Sequence, residues 1–468
     1  MLKPISTNNT MRKLLSVLLV TSCNLFYVHA QQPASYVPFK DDQLQLELIK
    51  KNIKDKYIQD SISIQGENKK YTVGLYRERL NIINQMFTDK EFIFTEETNR
   101  YLKSLVTEIL NANPQLKTLG THFLFSRAYW PNAFSTGEGT IVFNIGLFIK
   151  LKNESQAIFV LCHELAHLYL NHSNKAIDQY ISTLYSDEFQ KRLKELKKQQ
   201  YEKNKELAKL EKGVVFSNRR HGRQHESEAD SMGLVFMKST RFDITESIGC
   251  LDILDNIDKD TYNAEEGLRS LFNFTDYPFQ EKWVKKEDAF FGMSADAKPT
   301  DEEADSLKTH PDCKVRITRL EPAVKMISNG SAKKFIVDET EFKKLQQLFA
   351  LETLPYCLNS KRVSRCLYLA MELFKQDPHN AYVAAVIGKC FNEFYENQKN
   401  HTLNNIVSLP SPLGEKNYNA LLEFIQKISL RDMAAIGYFF LKQHETEFAA
   451  DKDFAAAFSQ SRINLKNQ

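Results

Sequence analysis

The chemistry this sequence displays most openly lies in His163-Glu164-Leu165-Ala166-His167. Residues four apart share one face of an α-helix, so both imidazoles can converge on one cation. Zinc suits them, because imidazole nitrogen binds it at roughly 2.0–2.1 Å and three protein ligands leave a position open for water. Glu164 projects beside that face rather than along it. It can therefore reach a zinc-bound water, take its proton as general base and pass that proton to a departing amine.

Two imidazoles need a third ligand, and Glu226-Ser227-Glu228-Ala229-Asp230 offers carboxylates four apart at the start of a second helix. Glu226 can serve. Asp230, one turn on, can accept the free N–H of a ligating histidine, which fixes its tautomer and raises its basicity. His172 reads as a helix-end residue. His221 and His225 read as solvent-exposed or, at most, as neighbours of the ligands.

These groups have to be held by elements that the apolar pattern locates. Residues 155–172 are apolar almost all round, which predicts a buried core helix. A second helix starts near Gln224 and runs past Gly233. Tyr101, Leu102, Leu105, Ile109 and Leu110 recur at helical spacing and predict a helix over 94–112. Thr121–Ser126 and Thr140–Asn144 read as strands, the second entered from a turn at Gly137-Glu138-Gly139. Residues 31–80 form a polar lead-in with helical spacing at Leu44, Leu46, Leu48 and Ile49. Residues 187–212 are rich in Lys and Glu and read as a solvated helical arm, and 255–310 reads as a long loop region.

From about 335 the pattern is helical. Asp377-Pro378-His379-Asn380 separates two helices, and Ile387, Gly388 and Phe391 follow at tetratricopeptide spacing. Cys366, Ala370 and Leu373 occupy the small or apolar positions that such a repeat packs between its helices.

The segment from about Asn132 to Arg316 resembles the HtpX- and BepA-like zinc metalloproteases, family-48 metallopeptidases of the gluzincin group. Asn132-Ala133-Phe134 followed by Gly139 to Leu147 resembles the segment ahead of that family's metal helix. His163 to His167 resembles its metal motif, and Glu226 to Gly233 its E-x-E-A-D-x-x-G motif. The first glutamate of that motif is the family's ligand, so the resemblance favours Glu226 over Glu228. Thr309-His310-Pro311 with Arg316-Ile317 matches a further segment. The resemblance implies that His310 is a fourth ligand or a switch holding the enzyme latent, and that Arg316 anchors a carboxylate or substrate backbone. It also implies that Thr140–Asn144 is an edge strand receiving substrate as an added strand.

The expected fold is α+β. A mostly helical gluzincin domain with a small β-sheet spans 31–330, and an all-α tetratricopeptide-like domain spans 331–468. The expected function is that of a zinc endopeptidase, one Zn2+ per chain, acting on unfolded or misassembled envelope proteins. The helical domain would dock substrate or an assembly complex in its concave surface. The alternative is a chaperone or assembly factor whose zinc site is latent or structural.

Bulk properties agree with a folded globular protein. The chain has 468 residues, 42% hydrophobic and 26% charged, with a formal net charge of +3. So small an excess, with no basic block interleaved with aromatics, argues against a nucleic-acid partner. Residues 1–30 read as an export signal, with a basic start at Arg12-Lys13, an apolar run from Leu14 to Val20 and a cleavage site after Ala30. Val20-Thr21-Ser22-Cys23 offers a competing reading as a lipidation site at Cys23. The expected location is therefore periplasmic or secreted, or lipid-anchored. Six cysteines remain after the signal, without the regular spacing of a disulfide framework.

Overall fold

A computed structural model describes residues 35–198, 222–257, 259, 262–285, 313–327, 332–411 and 414–468. His310, His221, Cys23 and the export signal lie outside the described residues. No described helix is long and apolar enough to cross a membrane.

The architecture is mostly helical α+β, as the pattern of the sequence leads one to expect. Four strands form the one sheet among the described residues: β1 (Phe92–Ile93), β2 (His122–Ser126), β3 (Ala133–Ser135) and β4 (Thr140–Asn144). They lie in the order β1-β2-β4-β3. β4 runs parallel to β2 in the register His122↔Thr140 to Ser126↔Asn144, and β3 returns antiparallel to β4 with Phe134 opposite Val142. All five residues of β4 are buried. The expectation that β4 is an edge strand is thereby corrected: β2 and β3 flank it, and the outer position belongs to β3.

Side chains alternate across the sheet. Leu124 and Val142 face one side, where Leu80, Ile83 and Met86 join them. Phe125, Ile141 and Phe143 face the other, where they meet the apolar helix that carries the histidines. The supposed lead-in supplies the first of these layers. It folds as two helices, Gln43–Ser63 and Lys69–Thr88, packed against each other. Leu44 and Leu48 remain exposed, while Leu46 and Ile53 are buried.

The histidine-bearing helix, hereafter the metal helix, spans Glu154–Tyr169 and is capped by Asn153, whose side chain accepts from the Gln156 N–H. Glu154, fully buried, accepts the backbone N–H groups of Ile336, Val337 and Asp338 at 2.7–2.8 Å and the Tyr101 hydroxyl at 2.8 Å. Four donors keep a buried carboxylate satisfied and pin the start of the metal helix to distant chain. Thr95 caps the helix Glu96–Ala112 through a capping box, close to the expected 94–112.

Farther along the chain, Glu339–Asn359 buries Phe342, Leu345 and Phe349 in the same cluster as the metal helix. Arg127 ties this helix to the sheet, with Nε donating to Glu352 Oε1 at 2.6 Å and Nη2 lying 2.9 Å from Asp41. Five longer helices follow: Val363–Gln376, Ala381–Lys399, Lys416–Lys427, Leu430–Gln443 and Lys452–Lys466. The region read as a long loop contains helix among its described residues. Ala264–Leu271 is a helix, and Phe272 inserts among Phe391, Phe424 and Phe440 of the C-terminal helices. All six cysteines from Cys162 to Cys390 are buried.

Candidate metal centre

His163 and His167 lie one turn apart on the metal helix, and their Nε2 atoms approach to 3.0 Å. A second helix, 222–238, crosses it and brings Glu226 alongside. Glu226 Oε2 is 3.5 Å from His163 Nε2, and Oε1 is 3.4 Å from His167 Nε2. Glycine makes this crossing possible. A Cβ on Gly233 would sit 3.1 Å from both Cα and N of His163.

Gly233→Ala is therefore expected to lower stability even though alanine favours a helix by about 1 kcal/mol. Strain between two rigid backbones costs about 1–3 kcal/mol, and the carboxylates move away from the histidines. A denaturant titration together with zinc affinity reads both effects; a more stable variant with unchanged affinity would show that the crossing tolerates a methyl group.

Behind these three side chains stands a charged lattice. His163 Nδ1 lies 3.0 Å from Asp230 Oδ1. Arg316, on the helix Cys313–Ile327, donates from Nε and Nη2 to the two Asp230 oxygens at 2.7 Å each. Its Nη1 lies 3.1 Å from Glu226 Oε2. Arg316 thus anchors two carboxylates of the centre, although only 4% of it is exposed. Burial would push the pKa of Asp230 up, but hydrogen bonds from Arg316 and His163 prevail and hold it low. Burial likewise disfavours charge on His163, yet Asp230 and Glu226 outweigh it and raise the imidazole to about 10. A cation binding there has to displace a proton.

Glu164 is buried next to this cluster, and burial raises its pKa against the opposing pull of His167 and His163. The Ser135 hydroxyl of β3 lies beside it and favours its charged form. The outer strand of the sheet and the prospective base are therefore neighbours.

His172 lies at a helix end, as expected, but it also touches the site. The metal helix ends at Tyr169, Asn171 adopts a left-handed φ of 58°, and His172 opens the next helix, His172–Leu184. The reversal folds it back on the site, with its Nδ1 3.0 Å from His167 Nδ1 and its Nε2 3.1 Å from Glu228 Oε2. The His225 ring stacks on it, centroids 4.2 Å apart. Burial depresses the His172 pKa to about 4, keeping the ring neutral. Sequence spacing conceals this contact, because a straight helix would turn His172 through about 140° from His167.

Residues 96–324 match the model of peptidase family M48. This segment belongs to the M48 peptidases. The match covers every residue of the cluster just described, and a search of curated proteins finds no match for the chain. M48 peptidases are zinc-dependent metallopeptidases. The donors fit that metal. Ligand atoms of His163, His167 and Glu226 all lie within 4.8 Å of one another. A tetrahedral ion with bonds of roughly 2.0–2.1 Å requires ligand atoms about 3.3 Å apart; the two Nε2 atoms are 3.0 Å apart, and Glu226 approaches His163 to 3.5 Å through Oε2 and His167 to 3.4 Å through Oε1.

Proposed function

We propose that the M48 domain is a zinc endopeptidase that cleaves unfolded or misassembled proteins, with His163, His167 and Glu226 as ligands and Glu164 as the proton carrier. The observation that carries this reading is the convergence of three donor atoms beside a buried glutamate. Zinc in such a site supplies a Lewis acid that brings the pKa of water toward neutrality. Glu164 takes a proton from water in the cleft and returns it to the amine that departs. Its raised pKa makes the carboxylate a stronger base toward that water, and the carboxylic acid so formed is the donor to the departing amine.

Among the described residues β3 is paired on one side only, to β4. A substrate segment in extended form adds to its open edge, so main-chain pairing holds the peptide and tolerates many side chains. Ser135 places that edge at Glu164.

The C-terminal helices extend the reading to biology. They serve as a tetratricopeptide-like platform that docks substrate or an envelope assembly complex. With the export signal expected over 1–30, this reading favours a role in envelope protein quality control.

Digestion of unfolded casein by the purified chain tests the activity. A chelator is expected to stop cleavage, and added zinc to restore it. Cleavage that persists without metal would refute the assignment, and so would a chain that never takes up zinc.

A further inference from the structure

The two histidine ligands are oriented by different devices. His163 faces the carboxylate of Asp230 directly. His167 faces a third imidazole, and only behind it comes a carboxylate, Glu228. We propose that His172, seated between His167 and Glu228, is a positioning residue that sets the tautomer of His167 and thereby the zinc affinity of the centre. The inference rests on the zinc reading above and adds to it a residue pair outside the ligand set.

Proton counting leads there. An ionised carboxylate can only accept, so His172 Nε2 must carry the hydrogen in its 3.1 Å contact with Glu228 Oε2. A metal on His167 Nε2 puts the hydrogen of that ring on Nδ1, so the His172 nitrogen facing it 3.0 Å away, Nδ1, has to accept. With its hydrogen committed there, His167 keeps its Nε2 lone pair for the side where His163 Nε2 and Glu226 converge. The tautomer a metal requires is thus written from Glu228 inward.

Neighbouring groups keep each member in place. Gln224 Nε2 donates to the other Glu228 oxygen at 2.8 Å, leaving Oε2 for His172. His225 stacks on the His172 ring at an interplanar angle of 12°, which fixes its rotation. The side chain of His172 is 3% exposed, so water does not compete for its nitrogens, whereas that of Glu228 is 42% exposed and can be altered without opening the core. Asn171 supplies the reversal on which the arrangement depends.

Zinc dissociation constants, obtained by competition against a chromophoric chelator with the full chain, provide the test. His172→Phe preserves the stacked ring but removes both nitrogens, and is expected to weaken zinc about 10–100-fold. His172→Gln presents an amide oxygen that can accept from His167 Nδ1 and is expected to recover most of that loss. In Glu228→Gln an amide N–H₂ can donate to His172 Nε2, turning two N–H groups toward each other at the Nδ1 contact. This variant is expected to weaken zinc several-fold while the metal-free unfolding midpoint stays at the parental value. The inference is overturned if His172→Phe and Glu228→Gln bind zinc as the parent does, or if His172→Gln is as weak as His172→Phe. A parent chain that takes up no zinc would instead defeat the metallopeptidase reading.

Discussion

Glu164→Gln is expected to reduce cleavage of an unfolded protein by about 10²–10⁴-fold, the usual worth of a positioned general base, while zinc stays bound at parental affinity. The dissociation of the two effects follows from placement. The three converging donor atoms belong to His163, His167 and Glu226, and the Glu164 carboxyl lies beside them, next to Ser135. Glutamine has the same shape but accepts no proton, so the centre remains assembled and the transfer step is lost. The same variant separates an enzyme from an assembly factor with a structural metal. An assembly factor keeps its function when Glu164 becomes Gln; a peptidase does not. Loss of zinc together with activity would mean that Glu164 helps to hold the metal and that its assigned role is wrong.

Arg316→Met is expected to cost about 3–5 kcal/mol of folding stability, because it strips Asp230 of its bidentate cation and Glu226 of a nearby one in a buried setting, leaving Asp230 to His163 and Glu226 to His163 and His167. Asp230 is 2% exposed, and both its oxygens receive Arg316 donors at 2.7 Å. Methionine fills the space but carries no charge. Freed from its bidentate partner, Asp230 no longer steadies His163, and zinc affinity should fall about 10–100-fold as well. Denaturant unfolding of the metal-free chain measures the first effect and chelator competition the second. Asp230→Asn in the same chain should restore part of the stability by removing the stranded charge. A loss below about 1 kcal/mol would place this pair with hydrated surface ion pairs and remove the reason given for its burial.

Much of the centre is legible in local spacing. A four-residue interval puts His163 and His167 on one helical face whatever surrounds them, and the same interval relates Glu226 to Asp230. The apolar surround of the metal helix predicts its burial, and β-branched and aromatic runs mark β2 and β4. Arg316 is a different case. Its link to a carboxylate came from resemblance, since nothing in residues 313–327 shows that this helix ends beside Asp230.

Other features escape the sequence for identifiable reasons. Ala133–Ser135 is too short for alternation to register as a strand, so nothing in the sequence shows that β4, an edge strand by resemblance, has a neighbour on that side. Leu44 and Leu48 of the first helix remain exposed, so its pattern revealed a helix but not the face that covers the sheet. Phe272 and Trp283 sit in charged surroundings that read as a loop, yet both are buried, with Phe424 of the C-terminal helices within aromatic contact of each.

The sequence by itself determined which side chains could bind zinc and which could move a proton, because a helix repeats every 3.6 residues and needs no partner to align His163 with His167. Tertiary structure alone decided what stands behind those ligands: Arg316 from a helix 86 positions beyond Asp230, Glu228 behind His172, and Gly233 where two backbones meet. These contacts join residues far apart in the chain or across a left-handed turn. No periodicity encodes them, and only the packing of one helix on another brings them within bonding distance.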